Sequence, residues 1–295
     1  MTARPTHLAA AAAARLAGAG VPSARVDAEI LLAEALGIDR GRIPVADDAS
    51  VAQQAAYEAL VARRAAREPL QHILGRAYFG PLTLAVGPGV FVPRPETELL
   101  AVWAARQVGR GSDRTRPARS APGPGIVDLC AGSGALGLYL AATVPDARVV
   151  LVERDPAALG YLVRNVAAAT LAGTVTVLAA DVRDPGLPGR LTELLGTVDL
   201  VVSNPPYVPE GADLDREAAA DPALALFSGA DGLDLIRELA RRGAAAGRRG
   251  AVAVEHDDAN GAGAAGLLTA AGFAGVEQHR DLTGRPRYVT GRMDA

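Results

Sequence analysis

Ile126-Val127-Asp128-Leu129-Cys130-Ala131-Gly132-Ser133-Gly134 carries an apolar run directly into a turn of closely set glycines, with a helix-like segment behind it. Glycines at such a junction let backbone approach a ligand with no Cβ in the way. Outward from this stretch the same alternation repeats. Strand-like runs at Arg148–Glu153, Val175–Leu178 and Val198–Ser203 follow, with a helix from Pro156. A helix at Leu233–Ala240, a strand at Ala251–Glu255 and a helix near Ala264–Ala271 come next, then a terminal strand pair at Val276–Arg280 and Arg287–Thr290. Strand and helix in alternation predict an α/β fold built on a parallel sheet. No internal repeat is visible.

The glycine turn alone is a weak motif, and the following residues sharpen it. Glu153 ends the second strand 19 residues after Gly134, where a carboxylate takes both hydroxyls of an adenosine ribose. Asp181 follows the third strand, placed for the adenine. A nicotinamide dehydrogenase makes similar demands, and counting Gly137 gives the full Gly-x-Gly-x-x-Gly spacing. The fourth strand decides between them.

That strand, Val198–Ser203, ends in Asn204-Pro205-Pro206-Tyr207, which predicts methyl transfer onto a planar nitrogen. An amide or aromatic NH2 has a delocalised lone pair and attacks carbon poorly. An Asn oxygen and the carbonyl of the next Pro, each accepting one N–H, hold that nitrogen toward a tetrahedral shape with its lone pair aimed at a methyl donor. Proline fixes the turn and brings no competing donor. Tyr207 offers a flat face for a planar amide or base, and favours positive charge on the attacked nitrogen. A dehydrogenase has no use for this sequence, so the expected cofactor is S-adenosylmethionine.

Ahead of the sheet the pattern is helical up to about residue 70. Leu8 and Leu16 lie in an Ala-rich segment, Ser23 is placed to cap a helix carrying Val26, Ile30 and Leu31, and Gly37 ends it. Ser50 with Gln53 forms a capping box before the stripe Tyr57, Leu60, Val61, and Pro69 stops that helix. Glycines and prolines between Gln71 and Pro93 read as a hairpin connector. The expected division is a helical domain over 1–70, a connector over 71–93 and a catalytic domain over 94–295. Within the last, 109–125 reads as a flexible loop rich in Gly, Pro, Ser and Arg.

Composition narrows the classes. The chain has 30 basic and 33 acidic residues, a net charge of −3, which gives no general attraction to nucleic acid. One cysteine excludes an internal disulfide framework, and four histidines at no ligand spacing lead us to expect no metal site. No apolar run of ~18 residues and no leader pattern occur, so a cytoplasmic location without membrane partners is expected.

These motifs together resemble the bacterial peptide chain release factor N5-glutamine methyltransferase family over nearly the whole chain. The resemblance rests on Gln71-His72-Ile73-Leu74-Gly75, Pro93-Arg94-Pro95-Glu96-Thr97-Glu98 after Phe91, Asp128–Gly134 and Ser203–Tyr207. Ser228-Gly229-Ala230-Asp231-Gly232-Leu233 and Gly284-Arg285-Pro286-Arg287 extend it. It implies a Rossmann-like, S-adenosylmethionine-dependent fold with a small N-terminal helical domain. It also implies methylation of the glutamine side-chain amide in the Gly-Gly-Gln loop of class I release factors. The donor site then maps onto Cys130, Ala131, Gly132, Ser133, Gly134, Glu153, Asp181, Val182 and Asn204. The acceptor lies against Asn204, Pro205, Pro206 and Tyr207, with Phe91 and Arg94 bordering the pocket and the N-terminal helices gripping the release factor.

One position departs from the family's Asp-x-Gly-x-Gly: Cys130 stands at the first glycine. An ordinary β-region backbone with the thiol packed inward is expected, with no nucleophilic role. Glu255-His256-Asp257 resembles an acid/base cluster, but His256 reads as a structural rim residue, and Arg94 and Glu96 as ion-pairing anchors of the rim. Other acceptors with the same pocket are a glutamine of a large-subunit ribosomal protein and a nucleic-acid adenine. The latter needs a basic groove or a target-recognition domain to present a flipped base. A non-catalytic binding module is the third class, opposed by the intact Asn204, Tyr207, Gly132, Gly134 and Glu153.

Overall fold

A computed structural model of the chain describes residues 2–111, 123–171, 174–246 and 250–293. The chain divides into two compact units, Met1–Arg76 with Leu214–Ala220, and Ala77–Asp213 with Asp221–Ala295.

The first unit is helical: α1 Pro5–Gly18, α2 Ala24–Leu36, α3 Val51–Ala65 and the short α4 Leu70–Leu74. Leu16, Leu31, Leu32, Tyr57 and Val61 fill its core. The capping box forms as expected, with the Gln53 N–H donating to Ser50 Oγ and the Ser50 N–H to Gln53 Oε1. Ser23 stands at the N-cap of α2 without capping it; its hydroxyl donates to Asp27 Oδ1 at 2.8 Å. Val26 points outward, 43% exposed, rather than into the core. Gln71–Leu74 is helical, so the connector begins later than the glycine pattern suggested; Gly75, at φ +70°, ends α4.

Residues 214–220 come from far along the chain, yet they belong to this helical unit. Arg64, buried, donates to Asp27 at 2.7 Å and to both Glu217 oxygens at 2.9 Å, while Arg67 Nε reaches Glu217 at 2.8 Å. Two carboxylates satisfy the guanidinium, so the charge is buried without being left unpaired.

The second unit opens with the hairpin β1 Arg76–Phe79 and β2 Leu82–Ala85, followed by α5 Thr97–Gly111. The doubly wound part runs β3 Gly125–Leu129, α6 Ala135–Thr143, β4 Arg148–Glu153, α7 Pro156–Ala168, β5 Val175–Ala179, α8 Leu187–Leu195 and β6 Leu200–Ser203. It continues through α9 Ala223–Leu226, α10 Asp234–Ala246, β7 Ala251–Glu255, α11 Gly261–Ala270, β8 Ala274–Arg280 and β9 Pro286–Arg292. Of the loop expected at 109–125, residues 109–111 belong to α5 and Gly125 to β3. Residues 112–122 of that expectation lie outside the described residues.

The strand order is β5-β4-β3-β6-β7-β9-β8, parallel from β5 through β7, with β9 antiparallel to both β7 and β8. β3 and β6 are neighbours although β4 and β5 intervene in sequence, so the order reverses between them. Ligands of open α/β sheets bind in the crevice beyond the strand ends at such a reversal. Both faces of the central strands are covered, one by α8, α10 and α11 and the other by α5 and α6. That burial explains why β3, β4, β6 and β7 are apolar runs rather than alternating ones.

Gly137 makes close packing possible: a Cβ there would lie 2.0 Å from Leu151 Cδ2. The third glycine of the Gly-x-Gly-x-x-Gly spacing thus serves helix-to-strand contact, a role independent of what the turn binds.

Candidate active site

Register places the key residues at one level. Leu129 pairs with Val152 on one side and Ser203 on the other, so Cys130 and Asn204, each just past its strand, stand level with Glu153, the last residue of β4. A cleft of about 1220 Å³, open to solvent at its mouth, lies across these strand ends. Residues 130–133, Glu153, Asp181 and Val182 line one part of it; Phe91, Asn204, Pro206 and Tyr207 line the other. Gly134 stands just behind the turn as the N-cap of α6, at φ +90°.

The turn after β3 is tied to β4. The Ala131 N–H donates to the Val152 carbonyl at 3.0 Å, and the Gly132 N–H to Glu153 Oε2 at 2.9 Å. The other oxygen of Glu153 accepts the N–H groups of Arg154 (2.7 Å) and Asp155 (2.8 Å). Three backbone donors therefore fix this carboxylate toward the cleft. Asp181 accepts the Arg183 N–H at 2.8 Å and pairs with Arg154 at 2.8 Å, closing the β5 end of the cleft.

Cys130 does not adopt the β-region expected of it. Its φ is +63°, in the left-handed region, which costs a non-glycine residue about 1 kcal/mol. The family's glycine at this position meets the same backbone demand without that cost. Burial, with Glu153 and Asp128 nearby, pushes the thiol well above its usual range, so it stays protonated at neutral pH and is no nucleophile.

Asp128 was quoted in the glycine motif without a role of its own. Its Oδ2 accepts the Gly137 N–H at 2.8 Å, while its buried Oδ1 has no donor among the described residues. Burial, opposed by that hydrogen bond and reinforced by Glu153, raises its pKa to about 7. A buried carboxyl oxygen without a donor among the described residues, at the lining of a cleft, suits a cationic ligand group, whose charge would favour the ionised form. The raised value also has a stability consequence. The folded state binds this proton more tightly than the unfolded chain, so stability falls as pH climbs from the ordinary carboxylate range to about 7 and stays low above it. Asp128→Asn should remove that slope. Denaturant unfolding without ligand should find the variant more stable by ~2–4 kcal/mol at pH 8 and nearly equal to the parent at pH 4.

On the acceptor side, Asn204 Nδ2 donates to Thr97 Oγ1 at 3.3 Å. No described residue donates to its Oδ1. Pro205 is buried and adds no surface to the cleft, so it backs the turn rather than walling the pocket. The Tyr207 hydroxyl donates to Glu255 Oε1 at 3.3 Å, and the Tyr207 carbonyl accepts from Asn260 Nδ2 at 3.1 Å. Gly232, at φ +74°, lets that carbonyl approach: a Cβ there would lie 2.2 Å from it. This assigns a task to the Asp231-Gly232 part of the motif. Burial raises the Tyr207 phenol well above its ordinary value, with the Glu255 charge adding to the shift.

Arg94 does not border the cleft. Its Nη2 pairs with Asp221 Oδ2 at 2.5 Å, and its guanidinium lies 5.0 Å from the Phe91 ring centroid. It therefore packs on Phe91 and pairs with Asp221, in line with the ion-pairing role expected of it. His256 is not on the rim either; it is fully buried, with Nδ1 2.7 Å from the Asp257 carbonyl. Thr97 and Glu255 stand in motifs visible in the sequence but carry no site role there, and sequence reasoning passed over the segment Pro222–Phe227, which lines the cleft and joins the end of the Asn-Pro-Pro-Tyr turn through the Val208–Phe227 bridge. An acid at the end of the strand beside the Asn-Pro-Pro-Tyr strand was the available signal for Glu255.

Comparison with known proteins places this geometry in a lineage. Residues 7–75 match the PrmC N-terminal domain and residues 98–222 the Methyltransferase small domain. Release factor glutamine methyltransferase of Mycolicibacterium smegmatis is 53% identical over 284 residues, covering 95% of this chain and 94% of that protein. The chain belongs to the release factor glutamine methyltransferase family. The Corynebacterium glutamicum member is 46% identical, with 95% and 96% covered. Among solved structures, the hMettl16 catalytic domain in complex with MAT2A 3′UTR hairpin 6 superposes with a TM-score of 0.55 at 14% identity, covering 80% of this chain and 82% of that one. That likeness concerns the methyltransferase fold alone. The family assignment fits a mostly parallel sheet whose cleft joins a glycine turn to an Asn-Pro-Pro-Tyr turn.

Proposed function

We propose that the protein transfers a methyl group from S-adenosylmethionine to the side-chain amide nitrogen of a glutamine in class I peptide chain release factors. The observation that carries this reading is the position of Asn204: it lines the cleft beside the glycine turn, with its amide nitrogen committed to Thr97 and its oxygen uncommitted. The names of the full-length relatives supply the acceptor class.

The cofactor side fits an adenosyl sulfonium. Glu153 would take the ribose hydroxyls, Asp181 and Val182 would border the adenine, and the orphaned Asp128 oxygen offers a counter-charge for its cationic end. When bound, S-adenosylmethionine supplies an electrophilic methyl group on a sulfonium centre. The chain's own contribution is positioning. Asn204 Oδ1 accepts an acceptor N–H and turns the nitrogen lone pair toward the donor side of the cleft. The Tyr207 and Phe91 rings flank the planar amide and exclude water from it. No general base is needed, because an N-methylated protonated amide is a strong acid and loses its proton to solvent.

Pure protein incubated with methyl-labelled S-adenosylmethionine is expected to label a class I release factor and not its Gly-Gly-Ala variant. Label in a large-subunit ribosomal protein or in DNA, with none in the release factor, would replace the substrate while keeping the pocket. Label nowhere would return the protein to a binding role.

A further inference from the structure

Behind the acceptor turn lies a buried relay whose members come from three separate elements. Thr97, 2% exposed, begins α5; Glu255, also 2% exposed, ends β7; Asn204 and Tyr207 follow β6. Asn204 Nδ2 donates to Thr97 Oγ1 at 3.3 Å and the Tyr207 hydroxyl to Glu255 Oε1 at 3.3 Å, while the Thr97 hydroxyl faces the Glu255 carboxylate closely enough to favour its ionised form.

We propose that Thr97 and Glu255 are positioning residues: a one-way chain of donation from Asn204 to Thr97 to Glu255 sets the rotation of the Asn204 amide, so that Oδ1 and not Nδ2 meets the acceptor nitrogen. The inference rests on the acceptor reading above. Its logic is proton counting. An ionised carboxylate only accepts, so both hydroxyls that touch it must donate to it. Thr97 has one proton, and having given it to Glu255 it can only accept from its other neighbour. Asn204 has one end that donates and one that accepts, so the donating end must face Thr97. Its oxygen is left for the cleft. A reversed amide would aim two N–H groups at the N–H groups of the incoming glutamine, and the site would repel the substrate it is shaped for.

The charge on Glu255 keeps the direction of the chain. Burial raises its pKa to about 7; the Thr97 hydrogen bond opposes this, Glu96 adds to it, and Tyr207 and Arg287 oppose it. The charged and titratable groups acting on it are Glu96 just ahead of α5, Tyr207 in the turn after β6 and Arg287 on β9, the last held by Asp281 at 2.8 Å. Protonation below about 7 gives the carboxyl a proton to donate, and Thr97 is then free to turn its own proton toward Asn204.

The test compares Thr97→Val, which keeps shape and loses the hydroxyl, with Thr97→Ser, which keeps the hydroxyl, and with Glu255→Gln, which cannot ionise. Thr97→Val should lose about tenfold in kcat with little change in cofactor Kd, and Thr97→Ser should recover most of it. The parent's kcat should fall as pH drops through about 7, and Glu255→Gln should flatten that limb. Side-chain amide NMR resonances of Asn204, recorded with no acceptor present, should shift in Thr97→Val and hardly in Thr97→Ser. Equal losses in the two Thr97 variants, an unchanged pH limb in Glu255→Gln, or unmoved Asn204 resonances would overturn the relay. Failure of the parent enzyme to label a release factor overturns the acceptor reading instead, and the NMR comparison still decides the relay.

Discussion

Asn204→Ala is expected to lower kcat for methyl transfer about a thousandfold while leaving cofactor Kd within about threefold. The size follows from the nucleophile. An amide nitrogen shares its lone pair with the carbonyl, and only a fixed acceptor on its N–H turns that pair toward carbon. Removing one preorganised polar contact of this kind from an enzyme site costs ~10²–10³ in kcat. The cost in folding should be small, because Asn204 is only half-buried and its side chain makes one hydrogen bond among the described residues, to Thr97; that is worth ~1 kcal/mol. Single-turnover rates with labelled cofactor, together with calorimetric Kd values, separate the two effects. A rate within fivefold of the parent would show that Asn204 does not hold the acceptor, whatever the cofactor affinity.

The parts of this fold that were legible from sequence are those where burial leaves a simple mark. β3, β4, β6 and β7 are covered on both faces, so they read as unbroken apolar runs bounded by turn residues. α8 was missed although Leu187, Leu191 and Leu195 form a buried i, i+4 stripe. Its first turn holds Pro188 and Gly189, which read as loop, while proline in a first helical turn is in fact well tolerated. The glycines at 109 and 111 misled in the same way at the end of α5. Cys130 was misjudged for a different reason: φ is set by the turn that reaches across to β4, and nothing in a cysteine announces a left-handed backbone. Thr97 and Glu255 could be seen individually, but their meeting beside Asn204 depends on α5 beginning next to the ends of β6 and β7, which only the assembled sheet brings about.

Glu153→Ala is expected to weaken cofactor binding about a hundredfold, the loss of one to two charge-assisted hydrogen bonds at ~1.5–3 kcal/mol each. The carboxylate does more than meet a ligand, since Gly132, Arg154 and Asp155 all donate backbone N–H groups to it. A carboxylate has about four lone-pair sites, so the three backbone donors leave roughly one for the ribose unless the Gly132 N–H gives way. Affinity loss in the alanine variant therefore mixes a missing ligand contact with a loosened turn. The 2′,3′-dideoxy analogue of S-adenosylhomocysteine separates them. The parent should bind it about thirtyfold more weakly than S-adenosylhomocysteine itself, whereas the variant, lacking the carboxylate, should hardly distinguish the two. Glu153→Leu, which keeps much of the bulk and has no acceptor, provides the same comparison if the alanine variant unfolds. Should either variant still discriminate as sharply as the parent, Glu153 would be a brace for the glycine turn and the ribose would be held by another group.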